Sequence, residues 1–349
     1  MIDIIKFILF TFTYVSFGFL FLNSIAGINS LILLIPFSIV CGLSSYLFIC
    51  HLLSFLIGPQ LSSFVSLLFL LLISILILIT NYPDLKKIRN EIPKGQLLLI
   101  NSISLIICFL TFLAIYTYGP SDANIHTKWA LSIFHNNIYP PRDCFRPDYI
   151  LLYHYGADLL GGAIQNLCNL NILTCFELVA IIQSGTTFLS FFALAWLITN
   201  NFKLSLISAF CTYFGGGLLW LDSIVRYFTH NLPSYASNWS FLQTYLNLGT
   251  YGSIYNAPSM QVFATYNSSN SMLILCLVLL KLILKTENIK SRFTFSISLI
   301  ITLFSLSMTA DWLYVTFFIG LIPVTLFLFF RKNKELFVSL LCVMLVSIF

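Results

Sequence analysis

Long apolar runs alternate with short polar breaks along most of the chain. Ten runs read as candidate membrane spans: roughly 4–26, 30–57, 61–80, 97–118, 172–198, 204–222, 269–284, 293–310, 312–330 and 336–349. A spanning helix needs about 20 mostly apolar residues to cross a hydrocarbon core of about 30 Å. The runs are continuous and lack the period-two alternation of barrel strands, so the pattern predicts helices. The expected fold is an all-α polytopic membrane protein with about ten transmembrane helices. Two long extracytoplasmic loops, about 119–171 and 223–268, interrupt them. Within the first loop, 149–168 carries His154, Asp158, Gln165 and Asn166 among apolar residues, and it reads as an amphipathic helix at the membrane surface or tucked against the bundle. The organisation divides into 1–96, a three-helix membrane segment with a basic cytoplasmic loop, and 97–349, a larger membrane module. The first run is too long for a signal-peptide core and has no good cleavage site, so it reads as a retained helix. The last run reaches Phe349 without a closing charge, which leaves a C-terminal truncation open.

Composition and charge sharpen this picture. Of 349 residues, 59% are hydrophobic and 8% charged, against roughly 25% charged in soluble domains. Lipid must therefore be the solvent for most of the chain. The net charge of +5 does not point to nucleic acid, because the basic residues cluster between spans. Lys86, Lys87, Arg89 and Lys94 form one group; Lys281, Lys285, Lys290 and Arg292 a second; Arg331, Lys332 and Lys334 a third. The positive-inside rule places all three in the cytoplasm. An even number of spans must then separate the first group from the second, which requires that 149–168 not cross. The same parity puts the N-terminus outside, in what is expected to be a bacterial inner (plasma) membrane. The nine cysteines contain no CxxC pair, so neither a disulfide framework nor a zinc site is indicated.

The chemistry-bearing residues concentrate in the outer loops. Asp122 follows Gly119-Pro120-Ser121 and stands four residues before His126, so the two share one helix face. Such a pair can bind a divalent cation or act as a base with its supporting group. Equally, Asp122 can be a helix cap with His126 merely exposed. Arg142 and Arg146 suit a phosphate or diphosphate, or they pair locally with Asp143 and Asp148. His154 and Asp158 sit on the amphipathic segment. Asp311 lies in a turn between two spans on the same side, and Arg226 opens the second long loop. Gly215, Gly216 and Gly217 are not followed by Lys-Ser/Thr and make no phosphate loop. His51, on the second span, reads as a packing residue.

The layout as a whole resembles the GT-C superfamily of integral-membrane glycosyltransferases, particularly its bacterial and archaeal members with extra N-terminal spans. The residues that carry the resemblance are the SDANIH segment (121–126), the Tyr139-Pro140-Pro141 stretch, YILLYHYGADLLGGAI (149–164) and YNAPSMQVFATYNSSNSMLIL (255–275) leading into a span. An IPFSIVCGLSSYLF-like second span (35–48) precedes that module. The resemblance implies transfer of a sugar from a polyprenyl-phosphate-linked donor at the extracytoplasmic face. It also implies an acidic catalytic residue in the first outer loop, which maps to Asp122 with His126 beside it, and a possible divalent cation (Mg or Mn) on the same two residues. Arg142, Arg146, His154, Asp158, Arg226 and Asp311 are then the candidate substrate-binding residues. The soluble C-terminal domain common in that superfamily has no counterpart here. The expected partners are the lipid bilayer and a lipid-linked sugar donor. The rival expectations are a transporter or flippase for a lipid-linked or amphiphilic substrate, and an inactive membrane remnant.

Overall fold

The computed structural model describes residues 2–80, 88–118, 123–143, 145, 148–151, 155–214, 264–331 and 333–348. They form helices α1 (Ile2–Leu20), α2 (Leu31–Thr80), α3 (Lys94–Tyr118), α4 (Ala123–Asn136), α5 (Gly156–Cys168), α6 (Ile172–Thr199), α7 (Phe202–Phe214), α8 (Ala264–Lys285), α9 (Ile289–Thr309), α10 (Asp311–Phe330) and α11 (Lys334–Ile348). Among the described residues the only β-type pairings are two isolated bridges, Ser30 with Arg89 and Arg142 with Ile150. Six helical segments are long and apolar enough to cross a membrane: Ile2–Ile25, Leu31–Thr80, Lys94–Leu113, Ile172–Thr199, Ile289–Thr309 and Leu313–Phe330. Leucines and phenylalanines project outward along them, among them Leu56, Leu68, Leu105 and Phe330. The chain is thus a helical integral membrane protein.

Helix α2 has 50 residues and would be about 75 Å long if straight, more than twice the hydrocarbon core. It is not straight. Gly58 takes φ 75° and ψ 158°, and Pro59 follows. Only glycine holds that conformation cheaply, and the proline removes a backbone donor. Beyond the break the chain doubles back. The Tyr46 hydroxyl donates to the Ser63 carbonyl at 3.3 Å, and the Ser54 and Ser62 hydroxyls lie 2.7 Å apart. At the far end, Leu31 N donates to the Arg89 carbonyl. The two arms, 31–57 and 59–80, therefore form a hairpin of two spans. Their buried faces are lined with serines, which bring the backbones close.

The first arm packs on α1 through two glycines. A β-carbon on Gly18 would stand 2.0 Å from the Ser38 carbonyl oxygen, and one on Gly42 would stand 1.9 Å from that of Tyr14. Lipid supplies little hydrophobic drive between helices, so such backbone-to-backbone fit holds a membrane crossing together. Helix α6 is the hub of the remainder, packing against α3, α7 and α8.

The contacts sort the loops between two ends of the bundle. At one end, Gln60 Nε2 donates to the Phe134 carbonyl at 2.7 Å, Asn166 Nδ2 donates to the Gln60 carbonyl at 3.0 Å, and Gly156 packs on Met308 and Thr309. At the other end, Ser30 and Trp196 both donate to Glu91, Lys281 donates to the Leu197 carbonyl, and Arg292 pairs with Glu335 at 2.8 Å. Arg89, Lys94, Lys203, Lys285, Lys290, Arg331 and Lys334 belong to this second end by their places at the helix termini.

The amphipathic segment, expected over 149–168 at the membrane surface or tucked against the bundle, is tucked into the bundle over a shorter range. The helix is α5 alone, 13 residues and about 20 Å long, too short to span. Its residues from Gly156 to Ile164 are all buried. The reason lies in Gly161 and Gly162: β-carbons there would meet the rings of Phe176 at 2.6 Å and Phe134 at 2.3 Å. Aromatic rings of α6 and α4 thus lie on its bare backbone, and the bundle closes around it.

Candidate functional site

Helices α4 and α5 pack against each other, and their contact joins two residues that stand 32 positions apart. His126, in the first turns of α4, places Nδ1 2.8 Å from Oδ1 of Asp158, in the first turn of α5. Both are buried, at 5% and 0% exposure. The ring of Trp129 meets the imidazole edge-on, with centroids 5.3 Å apart. The second carboxylate oxygen of Asp158, Oδ2, is buried and has no hydrogen-bond partner among the described residues. Buried polar atoms are nearly always paired, so an open carboxylate oxygen needs a reason. Burial pushes the Asp158 carboxyl up from 3.8 to about 6, against the opposing pull of the His126 hydrogen bond and charge. Desolvation dominates because a carboxylate loses most of its hydration there.

A second cluster lies at the same end. His51, on the first arm of α2, bonds through Nδ1 to the Tyr139 hydroxyl and stands 3.4 Å from that of Tyr155. The Tyr139 and Tyr155 hydroxyl oxygens lie 3.4 Å apart. Phe55 packs edge-on against both His51 and Tyr139. Burial raises both phenols above their ordinary range, so they stay protonated donors and His51 Nδ1 is the acceptor. The cluster pins the 137–155 stretch to the α2 turn. Asn137 helps, its Oδ1 accepting from Gln60 N at 3.1 Å. The Tyr139–Pro140 bond within this stretch is cis.

Of the residues expected in the site, His126 and Asp158 are brought together. Arg142 is exposed and donates from Nη1 to the Asp148 carbonyl at 3.1 Å, closing a turn that the Asp143 N to Tyr149 O and Leu151 N to Pro141 O bonds also hold. Its chief visible role is thus local, although the guanidinium remains at the surface. Asp311 is exposed in the first turn of α10, just past Thr309, and so shares this end of the bundle. Asp122, Arg146, His154 and Arg226 lie outside the described residues. The divalent cation expected on Asp122 and His126 finds His126 Nδ1 directed at Asp158. Among the described residues no group of three His, Cys, Asp or Glu is placed to hold a metal.

Pairing by helix spacing reaches only three or four residues along the chain, so His126 and Asp158 were both candidates without being recognisable as partners. His51 reads from sequence as a packing residue, and nothing local marks Tyr139 and Tyr155 as its partners. The Tyr-Pro-Pro sequence is the one local signal that could have marked the loop as fixed.

No protein-family model, curated protein or solved structure matches this chain. What the site can do therefore follows from its own atoms. A carboxylate with one oxygen held by an imidazole and the other buried and unpaired, its carboxyl raised to about 6, is ionised at neutral pH and is a base for any hydroxyl admitted beside it.

Proposed function

We propose that the chain is a membrane glycosyltransferase of GT-C type, which transfers a sugar from a polyprenyl-phosphate-linked donor at the extracytoplasmic face. The observation that carries the reading is the buried His126–Asp158 pair, with Asp158 Oδ2 unpaired among the described residues. This pair lies at the end of the bundle opposite Arg89, Lys281, Arg292 and Lys334. By the positive-inside rule that end is extracytoplasmic, with the N-terminus on the same side. In this reading Asp158 is the base and His126 orients it, a shift from the expectation that centred on Asp122. The acceptor hydroxyl gives its proton to Asp158 Oδ2 as its oxygen attacks the anomeric carbon. The bond from that carbon to the donor phosphate breaks, and the polyprenyl phosphate departs with the electron pair. Arg142, exposed at the same end of the bundle, would be the cation that meets that phosphate. Burial of the pair excludes water, which would otherwise hydrolyse the donor.

One observation favours a second reading, a proton-coupled carrier. An acid buried at an end of a bundle and titrating near neutrality can also load and release a proton. A carrier needs a polar path through the bundle. Buried hydroxyls are plentiful, but many turn back onto their own helices: Ser38 to Leu34, Ser54 to Cys50, Ser190 to Thr186 and Thr302 to Ser298. That arrangement supports the enzyme over the carrier.

The test uses cells lacking the chain, complemented with wild type or Asp158→Asn, with lipid-linked sugars and surface glycans profiled. The enzyme reading expects one glycan to vanish and its lipid-linked donor to accumulate in the variant, at unchanged protein level. A carrier expects both to stay unchanged while uptake or efflux of a solute changes. Identical profiles in deleted and complemented cells would refute the transferase.

A further inference from the structure

The opposite, basic end of the bundle carries a cleft of about 350 Å³ lined by Leu33, Glu91, Trp196, Leu197 and Asn200. That lies at the small end of ligand sites, which run from about 300 to 1,000 Å³. Its single charge is an acid set among bases. Glu91 Oε2 accepts from the Ser30 hydroxyl at 2.9 Å and from the Trp196 indole N–H at 2.9 Å. Both donors are neutral and both take the same oxygen. Among the described residues Glu91 has no ion-pair partner, whereas the other bonded acid at this end, Glu335, pairs with Arg292. A carboxylate fixed by neutral donors on one oxygen keeps its full charge for a cation at the other.

Trp196 forms one wall, its indole N–H holding Glu91 and its ring backed by that of Phe192 at 6.5 Å and 13°. The cleft is too small for a folded partner. Leu197, on its rim, accepts from Lys281 Nζ at 2.8 Å, so a second charge of opposite sign stands one bond away. The position is the level at which apolar helices end: Ile198, next to Leu197, is 65% exposed on a spanning helix. We infer that this cleft binds the zwitterionic headgroup of an amine-bearing phospholipid, with Glu91 taking the ammonium and Lys281 within reach of the phosphate. A free polyamine offers the same ammonium but lacks the phosphate and acyl chains that the Lys281 and Ile198 flank would engage.

The test is native mass spectrometry of the full chain released from micelles containing equal amounts of phosphatidylethanolamine and phosphatidylglycerol. Wild type is expected to retain phosphatidylethanolamine at least tenfold more than phosphatidylglycerol. Glu91→Gln keeps an oxygen for Ser30 and Trp196 but removes the charge, and its preference is expected to fall to parity. Phosphatidylglycerol retention in the same spectrum, and an unchanged melting temperature, show that the variant is folded. Spermidine supplies the second arm, and at millimolar concentration it is expected to displace the lipid only partly. Equal retention of the two lipids by wild type, or the same preference in Glu91→Gln, would overturn the inference. Charge-dependent spermidine binding without lipid preference would overturn the lipid assignment in favour of a soluble amine.

Discussion

Replacing Asp158 with Asn isolates the energetic cost of the buried carboxyl. Its folded-state value lies near 6 against 3.8 for the ordinary group. The folded protein therefore binds the proton more tightly than the unfolded chain does. The sign follows: protonated Asp158 costs nothing extra below pH 3.8, and the penalty of ionising it in the fold grows until the pH passes about 6. The difference of roughly two units corresponds to about 3 kcal/mol. The side chain is fully buried, so solvent screening takes little from that figure. Asn is nearly isosteric with the protonated acid and carries no charge at any pH. At pH 4 the variant and wild type are expected to have similar stability, and by pH 7 the variant gains about 3 kcal/mol relative to wild type. Thermal unfolding in one detergent, run on both proteins from pH 4 to pH 7.5, reads this as a melting-temperature difference that opens with pH. A difference that stays constant would refute the burial argument. A difference that opens the other way would mean that the His126 ion pair outweighs desolvation.

Three further outcomes follow from the packing. Gly42→Ala places a β-carbon 1.9 Å from the Tyr14 carbonyl oxygen and must part α1 from α2, at a cost of about 1–3 kcal/mol or more; Gly95→Ala, with nothing within 4 Å, is expected to leave the melting temperature unchanged. Tyr139→Phe deletes the hydroxyl that His51 accepts, worth about 1 kcal/mol, so hydrogen exchange across 137–151 is expected to quicken about fivefold when measured by mass spectrometry. In a background without other reactive cysteines, Asn137→Cys is expected to react with a membrane-impermeant maleimide from outside intact cells and Arg89→Cys only after lysis, while the reverse pattern would invert the proposed orientation.

Much of the architecture was legible because bilayer physics writes itself into long apolar runs. The hairpin of α2 is a clear instance: the runs ending at Ile57 and resuming at Leu61 bracket Gly58-Pro59, and the structure reverses there. The basic clusters likewise foretold that Arg89, Lys281, Arg292 and Lys334 would share one end. The pattern of α5 leaves the membrane surface and the bundle interior both open, and its burial is the second of these. An alternation of apolar and polar residues looks the same whether the apolar side meets lipid or protein, and only Gly161-Gly162 hinted that rings would cover the backbone. The site was half legible. His126 and Asp158 each stood out as ionisable groups beside spans, but their pairing depends on how α4 and α5 cross, which no local spacing encodes. The 88 residues between His51 and Tyr139 hid the second cluster for the same reason.

The central claim, that Asp158 works as a base on a lipid-linked donor, is tested most directly in a reconstituted system. Purified protein in lipid nanodiscs would be supplied with the lipid-linked sugars extracted from cells that lack the chain and with the sugars' candidate acceptors from the same cells. Release of polyprenyl phosphate would then be followed by mass spectrometry. Release is expected with wild type, rising as the pH passes about 6, with a loss of about 10²- to 10⁴-fold in Asp158→Asn. Release that is equal in both proteins, or absent from both while the deletion still alters the cells' glycans, would contradict it.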